Sequence, residues 1–268
     1  MQTTLFSFLK KLILGFCFIL FFGISSYAQN IKALVGGTMI DGFGGKPLKN
    51  SVIIIEGERI KAIGQVGKID IPEGAEIIST EGMSVLPGLW DMHVHLMING
   101  HSNYTYWDST YLNIFESVIM PSSAQQLLMA GVTSARDLGG PLEASINVRD
   151  KINRGEIPGP TLYMSGPFLQ HRPYPGTEEF RWGIYGVKDA REKVSRLAKA
   201  GVDVIKLIDQ DEMSLEEAKA IVDEAHKHGI PVIAHSHRPD EIRIGLRIGV
   251  DGFEHTGLSS SPEYPEDI

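Results

Sequence analysis

The sequence reads VLPGLWDMHVHL from Val85 to Leu96, an apolar run that starts with a Pro-Gly pair and ends with His93 and His95. A Pro-Gly pair is typical of a turn that leads into a strand. In an extended strand, residues i and i+2 point to the same face. The pattern therefore predicts two imidazoles aimed at one point, which is half of a metal site. A histidine pair at a solvated strand end is the alternative.

A lysine lies inside a second apolar run, GVDVIKLID, which is rich in β-branched residues and typical of a short buried strand. Alternation places Lys206 on one face together with Val204. An unpaired ammonium group is costly in a covered strand, so burial favours the neutral amine. A neutral amine reacts with CO2 to give a carbamate, which can bridge two metal ions. A lysine that extends from the strand end to water is the alternative.

Two further histidines follow short apolar runs, His235 in PVIAHSH and His255 in GFEHTG. Each is predicted to lie at the carboxyl end of a strand, and a purely structural histidine is the alternative at each position. His237 shares a face with His235 but lies farther beyond the strand, so we expect it at the rim of a pocket. His101 and His171 fall in long loops that either line a substrate pocket or cover it.

Other polar residues near these runs are predicted to be structural or superficial. Asp137 ends a short strand and is expected to support the backbone by hydrogen bonds, and Asp91 has a structural role. His226 and His228 are two apart on a predicted helix and do not face together, so they are predicted to lie on the surface.

The order of predicted elements indicates two regions. Residues 29–83 consist of short strands and turns and predict a small β-sandwich domain. Residues 84–268 alternate strand and helix about six times, which predicts an α/β fold with a parallel, barrel-type sheet. The spacing of Ser214 and Glu217 predicts a capping box at one of the helices. Active sites of such barrels form at the carboxyl ends of the strands, where every candidate ligand falls.

Five separated segments carry a resemblance: PGLWDMHVHL, GVTSARDLGG, GVDVIKLI, PVIAHSH and GVDGFEHTG. Together they resemble the imidazolonepropionase-like and prolidase-like branch of the amidohydrolase superfamily, and the similarity runs from about residue 31 to about residue 257. The resemblance implies a TIM-type (β/α)8 barrel beside a small N-terminal β-sandwich. It also implies a hydrolase that cleaves the C–N bond of an amide, a small dipeptide or a cyclic amide with a metal-activated hydroxide.

The resemblance further implies two divalent metal ions, for which the histidine-rich set suits zinc. His93 and His95 would hold the more buried ion, and His235 and His255 the second. A carboxylated Lys206 would bridge the two. Lys206, His235 and His255 are thereby the expected catalytic residues, and a small molecule or a dipeptide is the expected substrate. Hydrolysis of an ester by the same ions is an alternative chemistry.

The resemblance also implies an aspartate after an eighth barrel strand, for which we find no counterpart. With about six strand–helix units, we expect an incomplete barrel in a C-terminally truncated chain. One interpretation is a hydrolase whose sequence continues further. A second is an inactive short chain that binds metal without turnover. A third is assembly with another polypeptide that supplies the remaining strands. A binding protein that uses the barrel mouth without catalysis is the alternative from another class.

Composition and the N-terminus bear on compartment and partners. The formal charge of −8 and the lack of a basic run give no reason to expect nucleic acid or an anionic membrane as a partner. Lys10 and Lys11 precede an apolar segment, Leu12–Ile24, so residues 1–28 are predicted to be a signal peptide cleaved after Ala28. We therefore expect a periplasmic or secreted protein that leaves the membrane after cleavage. The formation of a homo-oligomer is possible and is not decided by the sequence.

The single cysteine, Cys17, lies inside the predicted signal peptide. The mature chain would then contain no thiol, so disulfides and thiolate ligands are excluded. Histidine and carboxylate side chains would have to supply the ligands of any metal site.

Overall fold

A computed structural model describes residues 31–256 and 264–268. The predicted signal peptide, residues 1–28, lies outside the described residues. The chain divides after Pro87 into two compact units. In the described part of the chain, no helix combines the length and the apolar character that crossing a membrane requires.

The first unit consists of short β-strands. They are β1 (Ile31–Val35), β2 (Thr38–Met39), β3 (Ser51–Glu56), β4 (Arg59–Gln65), β5 (Glu76–Ser79) and β6 (Ser84–Val85). Four of them form a sheet in the order β4-β3-β1-β5, in which only the β1–β5 pair is parallel, and β2 pairs with β6. Ala33 and the run 52–54 are buried. The strands lie in the segments predicted to be β-rich, and the sandwich of two facing layers stays a prediction.

The second unit alternates strands and helices. Its elements are β7 (Leu89–Val94), α1 (Tyr104–Tyr111), a 3-10 turn (Leu112–Ile114), a π-turn (Phe115–Ile119), α2 (Met120–Met129), β8 (Val132–Asp137), α3 (Leu142–Asn153), β9 (Thr161–Met164), β10 (Phe168–Gln170), β11 (Arg181–Gly183), α4 (Val187–Ala200), β12 (Ile205–Ile208), α5 (Leu215–Lys227), β13 (Val232–His235), α6 (Pro239–Ile248) and β14 (Gly252–Glu254).

The strands of this unit are all parallel and form two neighbouring sheets. One has the order β7-β8-β9, and the other has the order β11-β10-β12-β13-β14. The backbone N–H of Asp203, just before β12, donates to the carbonyl of Met164 at the end of β9 over 2.8 Å. This bond links the two sheets, so the carboxyl ends of the strands lie along one edge.

The helices start and end where local chemistry predicts. Ser214 and Glu217 form the predicted capping box of α5, with the side-chain oxygen of each accepting from the backbone N–H of the other. α4 ends at Gly201, whose φ of 80° lies in the left-handed region that glycine adopts without strain. The backbone polar groups at these helix ends find partners locally, so they need none from the residues at the strand ends.

Alternation along the strands separates two environments. Ile205 and Leu207 of β12 pack in the apolar layer beneath α4 and α5. Val204 instead packs with Leu138 and Ile233 in a separate small cluster. Residues that share a face of the strand with Val204 therefore point away from the helices, towards the concave side of the sheet. Lys206 lies on this face, as predicted.

Two segments predicted to be loops contain regular structure. In HSNYTYWDST, the Asn103 side chain accepts from the N–H of Tyr106 over 3.0 Å and caps α1. The second segment is QHRPYPGTEEFRWG, residues 170–183. It contains β11, which forms a short parallel pair with β10 in which Phe168 lies opposite Arg181. Strands of three residues give too few positions for alternation to stand out in a sequence.

Candidate metal centre

The two histidines of the opening run reach the concave side of the sheet through a β-bulge. Asp91 pairs with Ala135, whereas Val94 pairs with Asp137, so β7 has one residue more than β8 in this interval. The extra residue reverses the parity of the strand after the bulge. His93 and His95, which are two apart, project to the same side, where their Nε2 atoms lie 3.1 Å apart.

Lys206 lies on the same side of the sheet, in the middle of β12. Its residue exposure is 1%, and its Nζ has no hydrogen-bond partner among the described residues. Burial is the main cause that lowers the pKa of Lys206, to about 8. The positive charge of Lys206 lowers the pKa values of the four candidate histidines, 93, 95, 235 and 255, so the amine is close enough to act on all four.

The last two strands supply His235 and His255. His235 ends β13, and its strand partner on β14 is Glu254, so the two side chains share a face. His255 follows directly, with a φ of 61°. This left-handed backbone interrupts the alternation and brings the ring of His255 to 4.6 Å from that of His235 and 4.4 Å from that of His93. Five predicted ligands, from four strands, are thus gathered in one cluster.

His237 differs from its expected position at the rim. Its ring lies 4.3 Å from the ring of His235 and 4.8 Å from that of His255, and one nitrogen from each of the three rings falls within a span of 4.8 Å. The backbone N–H of His237 donates to Glu241 over 2.6 Å. The chain thereby turns sharply onto α6, and His237 folds back towards the cluster rather than extending away from it.

A carboxylate accepts a hydrogen bond from the ring of His93 and fixes its orientation. Glu254 accepts from Nδ1 of His93 over 2.9 Å through one oxygen and from Nη2 of Arg136 through the other. Arg136 also donates from Nε to the carbonyl of Met92 over 2.8 Å. The arrangement fixes the His93 tautomer with the proton on Nδ1, because a carboxylate can only accept. The lone pair of Nε2 is then directed at the space shared with His95.

Burial sets the charge state of the cluster. It is the largest cause that lowers the pKa of His95 to about 3, that of His235 to about 3 and that of His255 to about 4. Burial also lowers the pKa of His93. The positive charge of Lys206 acts in the same direction on all four. The imidazoles are therefore neutral at pH 7, which is the form that binds a metal ion.

The arrangement fits divalent cations. Two nitrogens bound tetrahedrally to one zinc ion stand roughly 3.3 Å apart, by the usual Zn–N distance of about 2.0–2.1 Å, and the Nε2 atoms of His93 and His95 lie 3.1 Å apart. The Nδ1 atom of His95 and the Nζ atom of Lys206 are buried without partners among the described residues. Neutral imidazoles that converge beside a buried amine form a donor set suited to zinc and its neighbours in the periodic table.

The remaining candidates have supporting or separate positions. Asp137 accepts from the backbone N–H of Leu96 over 3.3 Å and of Gly139 over 3.1 Å, which confirms its predicted role as a support. His101 packs against the ring of Trp107. His226 and His228 are exposed, as predicted. Sequence reasoning did not find Glu254, although its parity with His235 across the β13–β14 pair would have indicated it.

A parallel α/β unit with such a cluster at the carboxyl ends of its strands is typical of barrel hydrolases that use divalent cations. The sequence model of the Amidohydrolase family matches residues 84–267. The chain therefore belongs to the Amidohydrolase family, and the fold is TIM-barrel-like.

Several known proteins are similar to this chain. The ochratoxinase of Aspergillus niger is 28% identical over 280 residues, covering 88% of this chain and 56% of the relative. A prolidase crystallised with N-methylphosphonate-L-proline has 28% identity and a TM-score of 0.74, over 85% of this chain and 61% of the relative. A putative prolidase from Bifidobacterium longum has 30% identity and a TM-score of 0.71, over 84% of this chain and 54% of the relative. The chain thus spans between 54% and 61% of the length of these relatives.

Proposed function

We propose that this chain hydrolyses the C–N bond of an amide with the help of divalent metal ions held at the carboxyl ends of its barrel strands. The observation that carries the proposal is the convergence of His93, His95, Lys206, His235 and His255 in one partly buried cluster with neutral imidazoles. Family membership and similarity to an ochratoxinase and to prolidases support an amide as the bond that is cleaved.

The cluster suggests two binding positions. His93 and His95 would hold one ion, and His235 and His255 would hold the other, with His237 close enough to join the second set. Zinc is the proposed ion. Such ions, when bound, lower the pKa of water and polarise a carbonyl group.

Lys206 would serve as a bridge in its carboxylated form. The neutral amine attacks CO2, a C–N bond forms, and one proton leaves to solvent, so that an anionic carbamate replaces the amine. Burial favours this reaction, because it lowers the pKa of Lys206 to about 8 and so raises the fraction of neutral amine. The buried Nζ atom of Lys206 has no hydrogen-bond partner among the described residues. In the carbamate, the oxygens next to this atom would be able to bind the metal ions.

The surrounding residues position the donors and restrict water. Glu254 and Arg136 keep the Nδ1 proton of His93 in place. Phe168 lies edge-on to the ring of His95 at 5.4 Å and covers one side of it. Asp137 fixes the backbone directly after His95 through the N–H of Leu96. These contacts hold the imidazole nitrogens in place before a substrate arrives.

The proposal extends to architecture and location. We propose that the strands of the second unit belong to an eight-stranded TIM-type barrel and that residues 29–83 form, as predicted, part of a small β-sandwich. We further propose export to the periplasm or the exterior by the signal peptide, a small-molecule or dipeptide substrate, and no nucleic-acid partner. The same preparation can be used to test whether the chain forms a homo-oligomer.

The experiment measures metal content and hydrolysis on the purified chain that begins at Gln29. Zinc per chain is determined by mass spectrometry after dialysis with and without bicarbonate. Acetate or amino-acid release is followed with N-acetyl amino acids, dipeptides and carboxylic esters. The variants are Lys206→Met and His235→Asn, and His228→Asn serves as the matched control because His228 is exposed.

The expected result is close to two zinc ions per chain, with amide hydrolysis that depends on bicarbonate. Both cluster variants lose activity, and the control keeps it. Two bound zinc ions without hydrolysis would favour a metal-binding protein without turnover, and ester cleavage alone would favour an esterase. A chain that takes up no zinc would refute the proposal.

A further inference from the structure

A buried glutamine lies between the strand that carries Lys206 and the strand that carries His235. Gln210 follows Lys206 by four residues, in the loop after β12, and its exposure is 0%. Its Nε2 donates to the carbonyl of His235 over 2.8 Å and to the carbonyl of Glu241 over 2.9 Å. One side-chain amide therefore connects this loop to the end of β13 and to the first turn of α6.

The hydrogen bonds of Gln210 continue the connection between β12 and β13 beyond the point where the strand pairing stops. The last paired residues of these two strands are Leu207 and Ala234. His235 comes one residue later, and it pairs with Glu254 of β14 on its other side. The side chain of Gln210 supplies a donor for the carbonyl of His235 from the loop after β12. The backbone of His235 is thereby held from both sides.

The chain reaches this position through an uncommon backbone conformation. Asp209, directly after β12, has a φ of 55°, in the left-handed region that residues other than glycine rarely adopt. Its carboxylate accepts from Nε2 of Gln170 over 2.8 Å, which holds the turn in place. Strained residues of this kind persist where surrounding contacts compensate for the strain, and they are frequent at functional sites. The turn directs Gln210 back towards β13.

The partners of the Gln210 amide fix its orientation. Both partners are carbonyl oxygens, so only the NH2 group can face them. The Oε1 atom is buried and has no hydrogen-bond partner among the described residues. A buried acceptor in that state destabilises the fold. Gln210 therefore contributes less to stability than its two hydrogen bonds suggest, and its main effect is to fix the backbone at His235.

The other end of this network fixes the turn that follows His235. Oε2 of Glu241 accepts from the backbone N–H of His237 over 2.6 Å and from that of Arg238 over 2.7 Å. Glu241 has an exposure of 0%, and Nη2 of Arg238 lies 3.3 Å from its Oε1. Gln210 donates to the carbonyl of this same glutamate. One connected set of hydrogen bonds therefore holds the backbone at His235 and at His237.

We propose that Gln210 is a positioning residue that fixes His235 relative to Lys206 and thereby sets the zinc affinity of the position built from His235 and His255. This inference rests on the proposed metal-dependent hydrolysis and adds to it a residue that acts through His235 rather than by contact with the ion. A shift of His235 would change its distance from His255, whose ring centre lies 4.6 Å away. Contacts behind the ligands tune metal affinity because they hold the ligands in place before the ion arrives.

The test uses two variants and a matched control. Gln210→Met removes the donor and keeps a side chain of similar length, and Gln210→Glu keeps the shape and replaces the NH2 group with an oxygen. The control is Asp251→Ala. Asp251 accepts from the backbone N–H of Val232 over 2.7 Å, so it supports the same strand, β13, at the opposite end. Loss of either support should lower stability, whereas only Gln210 contacts the carbonyl of His235.

Zinc binding is measured on the metal-free chain in competition with a coloured chelator, in the background His93→Asn. This background disables the position of His93 and His95, so the remaining affinity reports the position of His235 and His255. The ring signals of His235 are followed by NMR in the absence of metal and are assigned from their loss in His235→Asn. Urea unfolding of each variant gives its stability.

We expect both Gln210 variants to bind zinc at least about tenfold more weakly than the background chain, the effect of removing a contact that supports a ligand. Asp251→Ala keeps the zinc affinity although it loses stability. The ring signals of His235 shift or split in the metal-free Gln210 variants and stay in place in Asp251→Ala.

Unchanged zinc affinity in folded Gln210 variants would overturn the inference. So would an equal loss in Asp251→Ala, because the loss would then follow stability alone. If neither Gln210 variant folds, the wild-type chain decides. Its Gln210 NH2 protons should exchange with deuterium more slowly than those of the exposed Gln125 and should shift when zinc binds, and the absence of a shift would contradict the role. A chain that takes up no zinc would refute the proposed function, and the metal-free ring signals of His235 would still decide this inference.

Discussion

The substitution Glu254→Gln tests whether the carboxylate that accepts a hydrogen bond from His93 organises the proposed metal centre. Glu254 receives two donors, Nδ1 of His93 over 2.9 Å and Nη2 of Arg136, and uses one oxygen for each. A carboxamide has only one acceptor atom, and its other atom carries protons. After the substitution, one of the two donors faces an N–H group and must move away. The ring of His93 is then free to rotate or to change its tautomer.

The size of the effect follows from the role of such partners in other metal sites. Removal of a carboxylate that orients a metal-binding histidine lowers metal affinity by about 10–100-fold, which corresponds to about 1.4–2.8 kcal/mol. Both oxygens of Glu254 are engaged here, so we expect at least about a tenfold loss at the His93–His95 position. The position built from His235 and His255 should change less, because the hydrogen bonds that Glu254 accepts come from His93 and Arg136.

The assay is zinc binding to the metal-free chain in competition with a coloured chelator, which resolves two affinities. Glu156→Gln is the matched control, since Glu156 lies on the surface of the same unit and is paired with Arg154. The expected result is a weaker first or second zinc affinity in Glu254→Gln alone. Identical zinc curves for Glu254→Gln and the wild-type chain, with both folded, would refute the role assigned to Glu254.

Three further predictions concern stability. Lys206→Met raises the unfolding midpoint of the metal-free chain, because it removes a buried donor that lacks an acceptor, at a cost of about 1–3 kcal/mol. A lower midpoint on calorimetry would contradict this. Asp137→Asn lowers the free energy of unfolding in urea by about 1–3 kcal/mol, because one of the N–H groups of Leu96 and Gly139 loses its acceptor; an unchanged urea midpoint would count against it. Glu224→Gln lowers the unfolding midpoint at pH 7, since hydrogen bonds, first from Lys227, lower the pKa of Glu224 to about 2. This stabilisation is present above the unfolded pKa and is lost as the pH falls through the folded pKa, so the deficit should shrink between pH 4.5 and pH 2; a deficit that is constant with pH would exclude the ionic explanation.

The main candidate ligands could be predicted from sequence because they depend on strand ends. His93, His95, Lys206, His235 and His255 each follow or lie within a short apolar run. The carboxyl ends of parallel strands meet at one edge, so residues that are far apart in the chain become neighbours. The residues at which helices end at glycines and begin at a capping box depend on the local sequence, so they could also be predicted.

The details that complete the site depend on tertiary structure. The bulge in β7 comes from the register with β8, which a single strand does not reveal. The left-handed backbone at His255 is uncommon for a residue other than glycine, and the position at a strand end from which His255 was predicted does not reveal it. The position of His237 depends on a hydrogen bond to Glu241.

The contact between His93 and Glu254 joins residues 161 positions apart. Closing a loop of that length in one step costs roughly 4–5 kcal/mol of chain entropy. The intervening strand–helix units shorten the effective loop when they form first, because each depends mostly on nearby contacts. The donor cluster should therefore assemble late during folding, after the strands from β8 to β13 are in place. Zinc capture would then report the final step of folding rather than nucleate it, and added zinc should slow unfolding more than it accelerates folding.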